Sequence, residues 1–314
     1  MIYPANFEEK IGFDRIREQV TALCSTPSAK AKLAEEGFST SADEIERRLS
    51  LMNEMRSLLM LERDFPDGDY PDPAPLVAKI RVEGSYLLAA EADQLRKALV
   101  TVGAIAEFIL GRGGARYPRL WELSRRVTLF PEIVRAIDAI LDDRGEVKDS
   151  ASPELQQVRR AIREREGQAA KRLQQVLQRA KQAGIVDADA VLSVRDGRPV
   201  IPVAAANKRK LQGFIHDESA TGRTFYVEPV EVVEINNELK ELEYAERREV
   251  VKVLSTFTES IRPDAEAIAD AGDYLSSVDM IRAKARWALA NDAGKPILST
   301  DDRLELRTAR HPLL

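Results

Sequence analysis

The chain has 314 residues, 44% of them apolar, so it can bury a sizeable core, and its length suggests two domains. Charged residues make up 32% against only 16 Gly and 15 Pro, which reads as helix-rich and excludes a disordered chain. A net charge of −5 excludes an overall basic signature, so any nucleic-acid surface must be local.

The opening residues MIYPANFEEK hold no apolar stretch of signal-peptide type. No run along the chain approaches the roughly 18 apolar residues that a membrane span needs. The expected location is the cytoplasm, with no membrane partner. Residues 6–36 read as helix, with Phe7, Ile11, Ile16, Val20 and Leu23 at helical spacing and a break at Ser25-Thr26-Pro27. Cys24, the one cysteine, can form no internal disulfide and reads as a small buried hydrophobe. Ser41-Ala-Asp-Glu44 reads as a capping box opening a helix over 43–62. Residues 65–75, rich in Pro, Asp and Gly, form a loop. Helices follow over about 86–111, 118–126 and 131–141, the first closed by Gly111-Arg-Gly-Gly114.

Ser152 suits an N-cap and Pro153 the first position of a long helix. It should run about 32 residues, roughly 48 Å. Leu155, Val158, Ile162, Ala169, Val176 and Ala183 form its narrow apolar stripe. Beyond Gly184 the pattern changes to strands at 190–195, 198–203, 212–217 and 223–228. Asp196-Gly197 is a hairpin signal, and Pro199 and Pro202 argue for an edge strand. A second long helix runs from Pro229 to about Ser260, striped by Val232, Ile235, Leu239, Leu242, Val253 and Phe257. Helix returns over 263–291, and the tail 304–314 reads as a strand.

The two long helices carry opposite charge. Residues 153–181 hold eight Arg or Lys against three Glu, and residues 228–249 hold eight Glu against three Arg or Lys. Complementary flanks of this kind fix partner and orientation in a helix pair. The expected fold is therefore mainly α: a helical core with two long antiparallel lever helices carrying a small four-stranded antiparallel β clamp. Between 195 and 223 lie Arg195, Arg198, Lys208, Arg209, Lys210 and Arg223 against Asp196, Asp217 and Glu218. Such a basic tip suits phosphate contacts, which give salt-dependent affinity without sequence preference. An ordinary solvated hairpin remains the alternative.

Catalytic patterns are missing. No P-loop occurs, and Gly111-Arg-Gly-Gly114 lacks the Lys-Ser/Thr that would make one. His216, His311 and Cys24 cannot build a zinc site, and His216-Asp217-Glu218-Ser219 is too local for a triad. No catalytic residue, metal or cofactor is expected within these residues.

The order of helical core, long helix, β-insert, long helix and helical return resembles the core, lever and clamp region of MutS-type proteins. The second bacterial MutS paralogue, which lacks the mismatch-reading and connector domains, is the closer likeness. Ser152-Pro-Glu-Leu155, 194–202, 213–229, 236–243 and Ala309-Arg-His-Pro-Leu-Leu314 carry it. Phe7-Glu8-Glu9 matches the Phe-x-Glu of mismatch readers, but a helix start is the better reading because the domain that uses the motif is missing. The resemblance implies a helical core over 1–150 and 261–300, levers over 151–184 and 229–260, and a clamp over 185–228. Residues 301–314 would begin an ATPase domain that is cut short, with ATP and Mg as its cofactors and often an Smr-type nuclease beyond. It further implies a homodimer for the full-length protein, with a monomer compatible with the shorter chain. Binding to branched or double-stranded DNA and suppression of recombination would be its role. The alternatives are a module that engages collided ribosomes, and a coiled-coil scaffold with no nucleic-acid role.

Overall fold

A computed structural model describes residues 6–195, 197–299 and 303–313. In chain order it forms α1 (Phe7–Lys10), α2 (Phe13–Ala22), α3 (Pro27–Glu35), α4 (Ala42–Leu61), α5 (Ala74–Ile80), α6 (Ala89–Gly111), α7 (Pro118–Ser124), α8 (Pro131–Ile140) and α9 (Pro153–Gln182). Strands β1 (Ser193–Arg195), β2 (Arg198–Ala204), β3 (Gly213–Glu218) and β4 (Thr224–Pro229) follow, then α10 (Val230–Ile261) and α11 (Ala265–Ala290). The fold is mainly α with one small antiparallel sheet. Two compact units divide it: residues up to Glu146 and from Leu254 onward make one, Val147–Val253 the other.

In the first unit α11 is the central element. Ala271, Tyr274, Leu275, Val278, Ile281 and Ala285 pack with Met55 and Leu58 of α4 and with Val102, Ile105 and Ile109 of α6. On another side Ala283 meets Val20, Cys24, Ala29 and Leu33. Burial pushes the Cys24 thiol up to about 11, so it stays protonated and acts as a small apolar side chain.

A helix apolar on two sides leaves little room for charge, yet α11 buries Asp279 and Arg282 completely. Asp279 Oδ2 accepts the Thr26 amide at 2.8 Å and its hydroxyl at 3.1 Å, while Oδ1 accepts Arg282 Nη2 at 2.9 Å. Arg282 also donates to the Gly68 carbonyl at 2.6 Å and to Ser25 Oγ at 2.7 Å, and lies 3.8 Å from the Tyr70 ring centre. These bonds clamp the break before α3 and the 65–75 loop onto α11.

The pattern read across 6–36 divides into three helices. Gly12 turns the chain at φ +71° between α1 and α2, and Thr26 caps α3 by accepting the Ala29 amide. Phe7 simply opens α1, and Glu8 pairs with Arg17 at 2.8 Å. Ser41 caps α4 through the Glu44 amide, but the Glu44 carboxylate bonds Arg47 and Arg48, so the capping box is half formed. The strand expected over 304–314 is not present in its described part, 304–313. Among the described residues that segment has no neighbouring strand to take up its backbone donors and acceptors. Residues 301, 302 and 314 lie outside the described residues, as does Asp196 of the expected hairpin turn.

In the second unit α9 begins where expected, with Ser152 Oγ accepting the Leu155 amide at 3.0 Å and Pro153 in the first turn. It ends at Gly184, which adopts φ +64°. The Ile185 amide then reaches the Ala180 carbonyl and the Gly184 amide the Lys181 carbonyl, a Schellman end. The opposed charges of α9 and α10 meet in antiparallel order: Arg159 with Glu246 at 2.7 Å, Arg165 with Glu238 at 2.8 Å, Arg179 with Glu231 at 3.5 Å. Partly exposed pairs contribute only a few tenths of a kcal/mol each, so they set register more than stability. Leu155, Ala169 and Val176 of the predicted stripe are buried, but Val158 and Ile162 are half-covered and Ala183 is exposed. Two helices alone shield only their line of contact.

Arg282→Met removes one half of a fully desolvated pair and strands Asp279. It is expected to lower stability by about 3 kcal/mol or more in urea unfolding, with partial recovery when Asp279→Asn is added.

Candidate nucleic-acid interface

The sheet has the order β1-β2-β4-β3. One face is closed by helices: Ile201, Val203 and Val227 pack on Leu173, Val176, Leu177 and Ala180 of α9 and Val232 of α10. Alternation along β2 and β4 turns these positions to one side. β2 is not the edge strand that its prolines predict. It changes partner midway, Arg198–Val200 pairing with β1 and Ile201–Ala204 with β4. Among the described residues each half pairs with one neighbour, which leaves an open side for Pro199 and Pro202, residues without an N–H.

Where β4 runs into α10, Glu228 is 1% exposed. Its carboxylate accepts Arg198 Nη1 at 2.9 and 3.0 Å and Asn236 Nδ2 at 2.6 Å, and lies 2.6 Å from His216 Nε2. Arg198 also donates to Asn237 Oδ1 at 3.1 Å. A bulge between Ile215 and Asp217 accompanies the turn of His216 toward Glu228. One carboxylate thus joins β2, β3, β4 and the first turns of α10. Burial alone would raise its pKa, but the bonds from Asn236, His216 and Arg198 outweigh burial and hold it below the ordinary carboxylate value. Gly213 lies against the same strand so closely that a Cβ there would stand 2.2 Å from the Glu228 carbonyl oxygen.

The six cations singled out by sequence separate into two sets. Arg195 donates to Asp217 at 2.8 Å and stacks 3.8 Å from the Tyr226 ring centre, and Arg198 serves Glu228. Their charges are compensated. The other four gather at the far end of β2. There the Ala205 amide donates to the Arg223 carbonyl at 2.9 Å, which sets the turn 208–210 beside the β3–β4 turn. Asn207 holds this turn down, donating to the Ile185 carbonyl at 3.0 Å just past the end of α9. Lys208 Nζ sits 4.4 Å over the Phe225 ring. Lys208, Arg209, Lys210 and Arg223 are exposed, and no carboxylate pairs with them among the described residues. Exposed cations on an anchored turn can meet an anionic backbone with little loss of freedom.

No family model matches the chain. A protein named endonuclease MutS2 from Bacillus velezensis is 31% identical over 304 residues, 96% of this chain. Endonuclease MutS2 of Thermomicrobium roseum is 32% identical over 315 residues, and that of Leuconostoc citreum 32% over 310. The chain is homologous to the MutS2 proteins. It spans 38% of the length of the B. velezensis and L. citreum relatives and 39% of that from T. roseum.

Within this chain, Arg195 and Arg198 are the two residues read as binding residues that instead help to hold the sheet together, and the others that do so lie outside that set. Glu228, His216, Asn236, Asn207 and Gly213 escape a reading by charge, because a Glu at a strand end or an Asn on a helix looks like ordinary surface. All but Asn207 fall in the segments that carry the MutS resemblance, and that was the one signal available for them.

Since the Glu228 pKa is depressed on folding, its ionised bonds add stability above the ordinary carboxylate range and lose it as pH falls below about 4.3. Hydrogen exchange within 198–229 is expected to accelerate on that acid limb, and Glu228→Gln to flatten the dependence. Gly213→Ala forces backbone apart and is expected to cost about 1–3 kcal/mol of sheet stability, read as earlier loss of exchange protection in β3 and β4.

Proposed function

We propose that the β module grips the phosphate backbone of branched or double-stranded DNA without reading bases. In this reading residues 151–184 and 229–260 act as levers between clamp and core in a longer MutS-like ATPase, and the longer protein restrains recombination. One observation carries the reading. Lys208, Arg209, Lys210 and Arg223 stand together at one end of the sheet, exposed and uncompensated among the described residues, in a chain of net charge −5. Arg195 and Arg198 act differently, as positioning residues for the sheet. The name endonuclease borne by the MutS2 relatives supports a nucleic-acid substrate for the longer protein.

Phosphate contacts release counterions, with a slope of log affinity on log salt of about −0.9 per phosphate on duplex DNA. Changing Lys208, Arg209 and Lys210 together to Ala is expected to weaken binding to a four-way junction and to a plain duplex alike. The salt slope should fall by about 2–3. Binding and slope unchanged from wild type would refute the clamp assignment. A loss confined to collided ribosomes, with junction binding intact, would transfer the site to RNA.

A further inference from the structure

The helical unit carries a denser cluster of cations than the β module. Residues 111–126 hold Arg112, Arg116, Arg119, Arg125 and Arg126 against the single carboxylate Glu122. All five cations are Arg. The segment crosses the end of α6, a glycine turn and α7, and it is fixed from below: Glu54 of α4 accepts the Arg119 amide at 2.9 Å and the Leu120 amide at 2.9 Å. Trp121 packs against Gly114, and Arg125 lies 5.5 Å from its ring centre.

The carboxylates nearby are too few for the guanidinium groups. Glu62 is shared by Arg112 at 3.0 Å and Arg116 at 2.9 Å. Glu122 is shared by Arg125 and Arg126, whose hydrogen bonds hold its pKa down at about 2. Each trio keeps one net positive charge. Arg119 makes no ion pair among the described residues. Its acidic neighbours are already engaged, Glu46 with Lys295 and Glu54 with backbone amides. Arg47, Arg119, Glu122 and Arg126 line an open depression of about 630 Å³ over Leu51 and Leu123.

We propose that this surface of α4 and α7 is a second binding site for the phosphate backbone of duplex nucleic acid, separate from the β module. The chemistry favours phosphate. A guanidinium that gives one edge to a shared carboxylate keeps further N–H donors, and its planar fork fits phosphate oxygens in a way that an ammonium does not. The seven steps from Arg119 to Arg126, along α7 and the turn that follows it, span roughly 10 Å at about helical rise. One strand of duplex presents a phosphate about every 3.4 Å of axis, so two or three contacts fit. Trp121 is half-buried against Gly114 and lies beside Arg125, so the arginines and not a free ring dominate this surface, which favours backbone over bases.

The test uses the whole chain and a 40-base-pair duplex in four forms of the protein: wild type, Lys208→Ala/Arg209→Ala/Lys210→Ala in the β module, Arg116→Gln/Arg119→Gln/Arg126→Gln in and flanking α7, and the combination. The α7 substitutions should weaken binding about tenfold or more at 0.1 M salt and lower the salt slope by about 2–3, in wild-type and β-module-substituted backgrounds alike. Because weak binding could also follow misfolding, Glu122→Gln is the decisive partner. It removes the shared carboxylate, and it should tighten binding severalfold. Affinity and slope unchanged by the α7 substitutions overturn the proposal, as does weaker or equal binding by Glu122→Gln. If the β-module substitutions have no effect while the α7 substitutions do, the clamp assignment falls and this one stands. A wild-type chain that binds no duplex removes both.

Discussion

Taking a carboxylate out of water costs several kcal/mol unless hydrogen bonds replace its lost hydration. Glu228 stands where β4 passes directly into α10, and three neighbouring elements each supply what it needs: Arg198 from β2, His216 from β3, Asn236 from α10. A shift of any one of these elements takes a hydrogen bond from the buried carboxylate. The apolar contact between sheet and helices is broad but undirected, and it would tolerate sliding. The carboxylate is what makes the sheet stand in one orientation on α10.

The same requirement sorts the basic residues. A cation near Glu228 or Asp217 is consumed by structure, as Arg198 and Arg195 are. At the other end of β2 the chain has anchored its turn with a neutral amide, Asn207, and an aromatic ring, Phe225. Neither neutralises charge, so the lysines keep theirs. The helical unit reaches a similar result differently, by making two arginines share one glutamate.

Much of the frame was legible in the sequence. Ser152-Pro153 and Gly184 bound a helix for local reasons, and local chemistry survives tertiary context. The opposed charges of the long helices were legible as pairing because no other helix was bound to lie beside either. Residues whose role depends on distant partners were not. Arg282 sits in a helix read by its apolar positions, and a charge there looks like a solvated face until Asp279, Ser25 and Gly68 are brought to it. Pro199 and Pro202 argued correctly that some side of β2 is open, but the sequence does not record that the open side changes halfway along. The strand expected near the C-terminal end failed because alternation describes a strand's faces and says nothing of whether a neighbour exists.

The two units differ in how they occupy the chain. Residues 147–253 are contiguous, whereas the helical unit is interrupted by them. Its central helix, α11, bonds through Asp279 and Arg282 to Thr26 and Ser25, more than 250 positions earlier. At roughly 5–20 residues per second, the ribosome needs tens of seconds to bridge that interval. During synthesis the β module and its levers can close on themselves first, while Met55, Leu58 and Ile105 wait for the helix that covers them. The newborn chain therefore carries a finished basic module attached to an unfinished apolar one, and the interval before α11 emerges is when it most needs shielding from aggregation.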